Sequence, residues 1–252
     1  MTRLTTLADP EAVAVRASSE IVRRIQSARE ERGIAHLALS GGTTPGRTYE
    51  LLAKELPAWE SVHVWFADER CVGPEDEESN YRLARKTLLE PADVPAEQIH
   101  RMQGELGAEE GAARYARALS ELVPVGIGTG AELRAGENAP VPALDVVVLG
   151  IGPDGHVASL FGGAPTLRAG EEAVCLPVHD SPKPPPDRIT LSLAVLRAAR
   201  RCVLLATGAS KSDAVAAMLG KPSEHVPASL LERDRLSVLV DDAAAPPGPL
   251  GR

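Results

Sequence analysis

The sequence predicts a single α/β domain built on parallel strands joined by helical crossovers. Short apolar runs suited to buried strands alternate with segments of helical pattern along most of the chain. Glycine-containing turns stand where such runs end, which is where open α/β sheets place their ligands. The chain has 252 residues, 44% hydrophobic and 25% charged, enough for one large domain with an ordinary core, and it contains no internal repeat.

The elements follow in order. Asp9 suits the N-cap of a helix running to about residue 32, with Pro10 in its first turn and Gly33 as its stop. Residues 34–39 read as a short strand, 45–56 as a helix and 62–66 as a strand. Helices follow over 79–89 and 109–122. The Gly- and Pro-rich stretch 123–142 reads as a surface excursion, because the alternation resumes directly after it. Residues 144–149 form the next strand, and the apolar run 146–149 marks it as buried. The proline run within 181–186 makes a rigid extended loop, and 189–191 a short strand. Residues 203–206 are a strand, 210–219 a helix and 236–240 the last strand. The domain is placed at 1–242, with a frayed tail expected over 243–252.

Composition limits the partners. Aromatics are only 3%, so the core rests on Leu, Val, Ala and Ile. Formal charge is 27 minus 35, or −8, which argues against nucleic acid or an anionic membrane as the main partner. An anionic small molecule needs a local cluster of Arg and Lys against that field. The three cysteines, Cys71, Cys175 and Cys202, are odd in number, far apart and without a Cys-x-x-Cys, as in a reducing compartment. The opening segment lacks the apolar core of a signal peptide, and no stretch has the length of a membrane span. A cytoplasmic protein with no membrane, nucleic-acid or obligate protein partner is expected.

The most informative motif is LGIGPDGHVASLF, beginning at Leu149. The strand empties into a turn containing Gly150, Gly152 and Gly155, which presents Asp154 and His156 together. A histidine standing alone is as a rule structural. Here it follows Asp-Gly at a strand end, and its ordinary pKa suits proton transfer near neutrality. The other histidines lack metal-ligand spacing, so no metal is expected. Gly150-x-Gly152-x-x-Gly155 also matches the dinucleotide fingerprint, but Pro153 sits inside the turn. Gly162, Gly163 and Pro165 then leave too little helix for a nicotinamide-binding crossover.

Four further segments supply polar groups. Ser40-Gly41-Gly42-Thr43-Thr44-Pro45 joins a strand to a helix, where backbone N–H groups, hydroxyls and the helix dipole can close on a phosphate. It is not a Walker loop, and the alternative is a tight turn with Thr44 as N-cap. Asp68-Glu69-Arg70 lies just beyond the strand VHVWF. Arg70 can pair with a phosphate or carboxylate and Asp68 can accept from sugar hydroxyls; otherwise the three residues are a solvated loop. Asn80 and Arg82, at the next helix start, are lesser candidates. Arg188 follows the proline run and Lys211 opens a helix after Thr207-Gly208. Together with the Ser40 loop they would make the cationic cluster that the net charge otherwise withholds.

In combination the motifs resemble the 6-phosphogluconolactonase family, within the larger group that includes glucosamine-6-phosphate isomerases/deaminases. The matching pieces, in order, are SGGTTP at Ser40, FADERCV at Phe66 with Ser79-Asn80 beyond it, LGIGPDGHVASLF at Leu149, PPPDRITLSL at Pro184 and ATGASKSDAV at Ala206. They span about residues 37–242. Gly162 departs from the pattern, which has a proline after Phe161, and 123–142 is longer than the simplest members need. The resemblance implies a Rossmann-like, three-layer α/β/α fold with a mostly parallel sheet. It also implies hydrolysis of 6-phospho-D-glucono-1,5-lactone to 6-phosphogluconate in the oxidative pentose phosphate pathway, without metal or cofactor. Carried onto matching positions, His156 is the general base, and Asp154 either orients its ring or binds a hydroxyl. Ser40, Gly41, Gly42, Thr43, Asp68, Arg70, Arg188 and Lys211 are the substrate and phosphate contacts.

Two rival functions are weighed. A glucosamine-6-phosphate isomerase/deaminase needs an acidic residue shortly after the Asp-Gly-His turn, and none occurs here before Glu171. A non-catalytic sugar-phosphate sensor would carry an added DNA-binding or partner module, and this chain has no spare length for one.

Overall fold

The computed structural model describes residues 3–127, 140–170 and 172–246. Strands β1 (Arg3–Leu7), β2 (Ala35–Leu39), β3 (Val62–Phe66), β7 (Val146–Gly150), β10 (Cys202–Ala206) and β11 (Leu236–Asp241) form one sheet, every pairing parallel. Its order is β1-β11-β10-β7-β2-β3. Strands β2 and β10 are buried at every residue, which is why β10 reads as an unbroken apolar run and β2 as one interrupted only by His36. A smaller antiparallel sheet joins β4 (Asp68–Arg70), β9 (Arg188–Leu191) and β8 (Cys175–Val178). Strands β5 (Val125–Ile127) and β6 (Pro140–Pro142) pair across the base of the expected excursion, most of which lies outside the described residues.

Helix α1 (Pro10–Arg32) is capped as its sequence requires: Asp9 accepts from the Ala12 amide at 2.8 Å, and Gly33 closes it at φ 77°. It packs against α2 (Thr43–Glu55) and the central sheet, burying Val13, Ala17, Ile21 and Ile25. Burying such side chains contributes about 1.5–3 kcal/mol each for the branched ones. The helix expected over 79–89 is α3 (Asn80–Ala84) continued by a π-helical stretch, Arg85–Leu89. Helix α4 (Ala108–Leu122) covers β8 and β9. Helix α5 (Leu193–Ala198), started by Ser192, has no counterpart in the sequence reading, nor have β1 and β8. Helix α6 (Ser212–Leu219) follows β10 through a 3₁₀ turn, Ala209–Lys211.

Where the last ten residues lead one to expect fraying from Ala243, Ala244 is fully buried and its amide donates to Asp241. The Ser212 hydroxyl also donates to the Ala245 carbonyl at 3.0 Å. Residues 247–252 of that tail lie outside the described residues. No helix among the described residues is long and apolar enough to cross a membrane.

The strand order sets the position of the site. From β2 the chain moves outward to β3, whereas β7 neighbours β2 on one side and β10 on the other. The loops leaving β2 and β7 therefore diverge, and a crevice opens at their carboxyl ends.

Candidate active site

A cleft of about 390 Å³ occupies that crevice. The loops after β2, β3, β7 and β10 supply its walls, together with the proline segment before β9. Of the residues singled out from sequence, Ser40, Gly41, Gly42, Thr43, Asp68, Arg70, His156, Arg188 and Lys211 all line it. Asp154 stands behind His156. Asn80 and Thr44 also reach the cleft, and so do Thr207 and Lys183, which the sequence did not distinguish as contacts.

The turn after β7 is built around one close approach. A Cβ on Gly152 would fall 2.0 Å from His156 Nδ1 and 2.3 Å from Asp154 Oδ1, so only glycine lets these side chains fold back over the backbone. Gly155 takes φ 80°, the left-handed conformation that glycine adopts without strain. No α-helix follows within the described residues 151–170, so the dinucleotide fingerprint has no crossover to serve.

Asp154 Oδ1 lies 2.5 Å from His156 Nδ1, leaving Nε2 as the ring nitrogen for the cleft. The imidazole is 14% exposed and rests against Phe161, ring centroids 4.7 Å apart. Burial lowers the His156 pKa from its usual 6.5; hydrogen bonding and charge from Asp154 work against this and Lys183 works with it. Burial disfavours the Asp154 carboxylate, but the hydrogen bond and charge of His156 prevail and hold its pKa down. The shifts favour the ionised form of Asp154 and disfavour the charged form of His156.

The loop after β2 brings backbone amides and Thr43 to the cleft, while its Ser40 hydroxyl is engaged within the protein. Gly42 begins α2 at φ 118° and provides no side-chain cap, so the first N–H groups of the helix stay available to an anion. Thr44 lies within the helix and is not its N-cap. Ser40 is buried, and its hydroxyl donates to the Val148 carbonyl at 2.6 Å, tying β2 to β7 instead of pointing a proton at the cleft. The hydroxyls of Thr44 and Thr207 meet at 2.6 Å and join the β2 loop to the β10 loop that carries Lys211.

Asp68-Glu69-Arg70 is not a solvated loop. It forms β4, in register with Thr190, Ile189 and Arg188. Glu69, 2% exposed, turns away from the cleft and accepts from Ser79 Oγ and the amides of Arg70, Asn80 and Tyr81. Those donors hold a carboxylate at the α3 N-terminus, where charge and dipole agree. Asp68 is also engaged, accepting from Ser159 Oγ at 2.7 Å and Asn80 Nδ2 at 3.1 Å.

Arg70 and Arg188 stand directly opposite each other across β4 and β9. Like charges so placed repel, and burial followed by Arg70 lowers the Arg188 pKa. Arg70 Nε is buried without a hydrogen-bond partner. Lys211 also has its pKa lowered, by burial and then by Lys183. These four cations are the local cluster that a chain of net charge −8 needs to hold an anion. Among the described residues no group of three or more His, Cys, Asp or Glu has the arrangement to hold a metal ion.

Fold and site define an α/β protein with a hydrogen-bonded Asp–His pair beside a cation-lined crevice at the sheet's switch point. The chain belongs to the glucosamine-6-phosphate isomerase/6-phosphogluconolactonase family, whose model matches residues 8–240. It is 36% identical over 249 residues to a 6-phosphogluconolactonase of Streptomyces coelicolor, covering 94% of this chain and 91% of that one. With the human 6-phosphogluconolactonase it shares 38% over 221 residues, 83% of this chain and 79% of the other. The solved 6-phosphogluconolactonase from Trypanosoma cruzi superposes with a TM-score of 0.83 at 25% identity, over 97% of this chain and 96% of its own.

Proposed function

We propose that the protein hydrolyses 6-phospho-D-glucono-1,5-lactone to 6-phosphogluconate in the oxidative pentose phosphate pathway. The reading is supported by the names of its relatives and by the cation-lined cleft. The observation that carries it is the Asp154–His156 pair, held so that a neutral Nε2 faces the space where a sugar phosphate fits. A δ-lactone is an activated ester, so a positioned water and one base suffice, with no covalent nucleophile, metal or cofactor. His156 takes a proton from water as its oxygen bonds to C1. Cleft donors not engaged by the phosphate stabilise the charge that develops on the carbonyl oxygen. The C1–ring-oxygen bond then breaks, and His156 returns the proton to the leaving oxygen. Asp154 orients the ring throughout. The α2 amides with Lys211, Arg70 and Arg188 hold the phosphate, and Asp68 takes a sugar hydroxyl in addition to its internal bonds. The enzyme acts in the cytoplasm without a nucleic-acid, membrane or obligate protein partner.

The ring that touches His156 from the following segment is Phe161, and residues 157–170 contain no acid, which counts against an isomerase/deaminase. The test couples 6-phosphogluconate formation to its dehydrogenase and subtracts spontaneous hydrolysis. His156→Asn should cost about 10²- to 10⁴-fold in kcat. In the wild type, activity should fall with acid only below the ordinary histidine range, since the His156 pKa is lowered. A His156→Asn enzyme of near wild-type rate, or faster ammonia release from glucosamine 6-phosphate, refutes the proposal.

A further inference from the structure

The guanidinium of Arg188, 3% exposed, is largely occupied by the chain next to it. Nε donates to the Pro185 carbonyl at 3.1 Å, and Nη2 donates to those of Lys183 at 2.9 Å and Pro184 at 3.2 Å. Nη1 reaches Ser159 Oγ at 3.4 Å. Three consecutive carbonyls of the proline segment are thus gripped by one planar fork, a geometry lysine cannot reproduce. The guanidinium also lies over the Phe161 ring, 5.7 Å from its centroid, and that ring is the one packed against His156. The first residue gripped, Lys183, lines the cleft and places Nζ 3.9 Å from Asp154 Oδ1.

We propose that Arg188 is a positioning residue whose grip on residues 183–185 holds Lys183 over the Asp154–His156 pair, and that Lys183 adds to burial in keeping the imidazole in its free-base form. The inference rests on His156 being the base of the proposed reaction. Burial is the main influence holding the ring neutral, and the charged groups around it shift that balance. Asp154 on the same turn and Asp68 from β4 favour the imidazolium, while Lys183 from the proline segment opposes it. Lys211, after β10, faces both Lys183 and Asp154. Lys183 is 42% exposed, so bound substrate that displaces water strengthens its effect.

The test reads the ring directly. The His156 side-chain NMR signals are assigned by their loss in His156→Asn and titrated without substrate in the wild type, Lys183→Met, Lys183→Arg and Arg188→Lys. Lys183→Met should move the His156 titration to higher pH. It should move the acid limb of kcat/KM the same way, lowering kcat/KM there by about two- to ten-fold. Lys183→Arg should restore both. Arg188→Lys, which keeps the charge but loses the fork, should behave as Lys183→Met does. An unmoved titration in Lys183→Met overturns the proposal. So does an Arg188→Lys protein that loses only KM, since Arg188 would then be a ligand contact alone. Because the titration needs no substrate, an absence of lactone hydrolysis in the wild type would refute the functional reading separately.

Discussion

Away from the cleft, three histidines make the stability of this protein depend on pH. His36 on β2 and His63 on β3 are cross-strand partners with ring centroids 5.3 Å apart. His63 Nδ1 meets His100 Nε2 at 2.7 Å, and Trp65 stacks on His100 and donates from Nε1 to His36 Nδ1. His36 is 2% exposed, and its Nε2 has no partner. Burial first, then the neighbouring His63, His100 and Arg32, lower its pKa from 6.5 to about 4. His100 falls to about 4 as well, through burial and His63. A histidine depressed in the folded state stabilises in full above its unfolded pKa of 6.5, and that stability drains away as pH falls toward about 4. For His36 the gap corresponds to about 3 kcal/mol; His100, only half-buried, adds less after solvent screening. Against a total of about 5–15 kcal/mol this is a large fraction. Urea unfolding followed by tryptophan fluorescence at about pH 7.5 and about pH 4.5 measures it in the wild type and in His36→Asn. The variant should start less stable, yet its loss over this pH interval should be smaller by about 2.5 kcal/mol, most of the full gap. If its acid-induced loss equals that of the wild type, the argument from buried imidazoles is wrong.

Two further substitutions test the architecture around the cleft. Gly152→Ala puts a methyl where His156 Nδ1 and Asp154 Oδ1 now sit, so kcat should fall by about 10²-fold or more while circular dichroism stays native. Glu69→Gln sets an amide among four donors and should cost about 3 kcal/mol in urea unfolding, with KM rising as Asn80 and Asp68 loosen.

Much of this was legible before any coordinates. The buried strands of the parallel sheet declare themselves because both faces are covered, and α1 carries its own cap and stop in Asp9 and Gly33. Four of the five site motifs were visible because each stands at the end of such a strand, while the proline motif leads into β9 of the smaller sheet. What escaped depends on distant partners. β4 looks like a charged loop because nothing local shows that Glu69 will be satisfied by the start of α3. β1, RLTTL, is a short edge strand that exists through its pairing with β11. Nothing local shows that the hydroxyl of Ser40, expected among the substrate contacts, donates to Val148, 108 residues away. Lys183 gave no signal at all, since a lysine among prolines reads as solvated and its placement comes from Arg188.

Successive side chains of β4 point to opposite faces, so Asp68 and Arg70 border the cleft while Glu69 serves the protein's interior. Parity is therefore a functional property of this short segment. Adding or deleting one amino acid there would bring the Glu69 carboxylate to the mouth and turn Asp68 and Arg70 inward, leaving three of the four cations and weakening the pull on an anion. Lineages carrying this fold can vary the chemistry of the three positions more easily than their spacing.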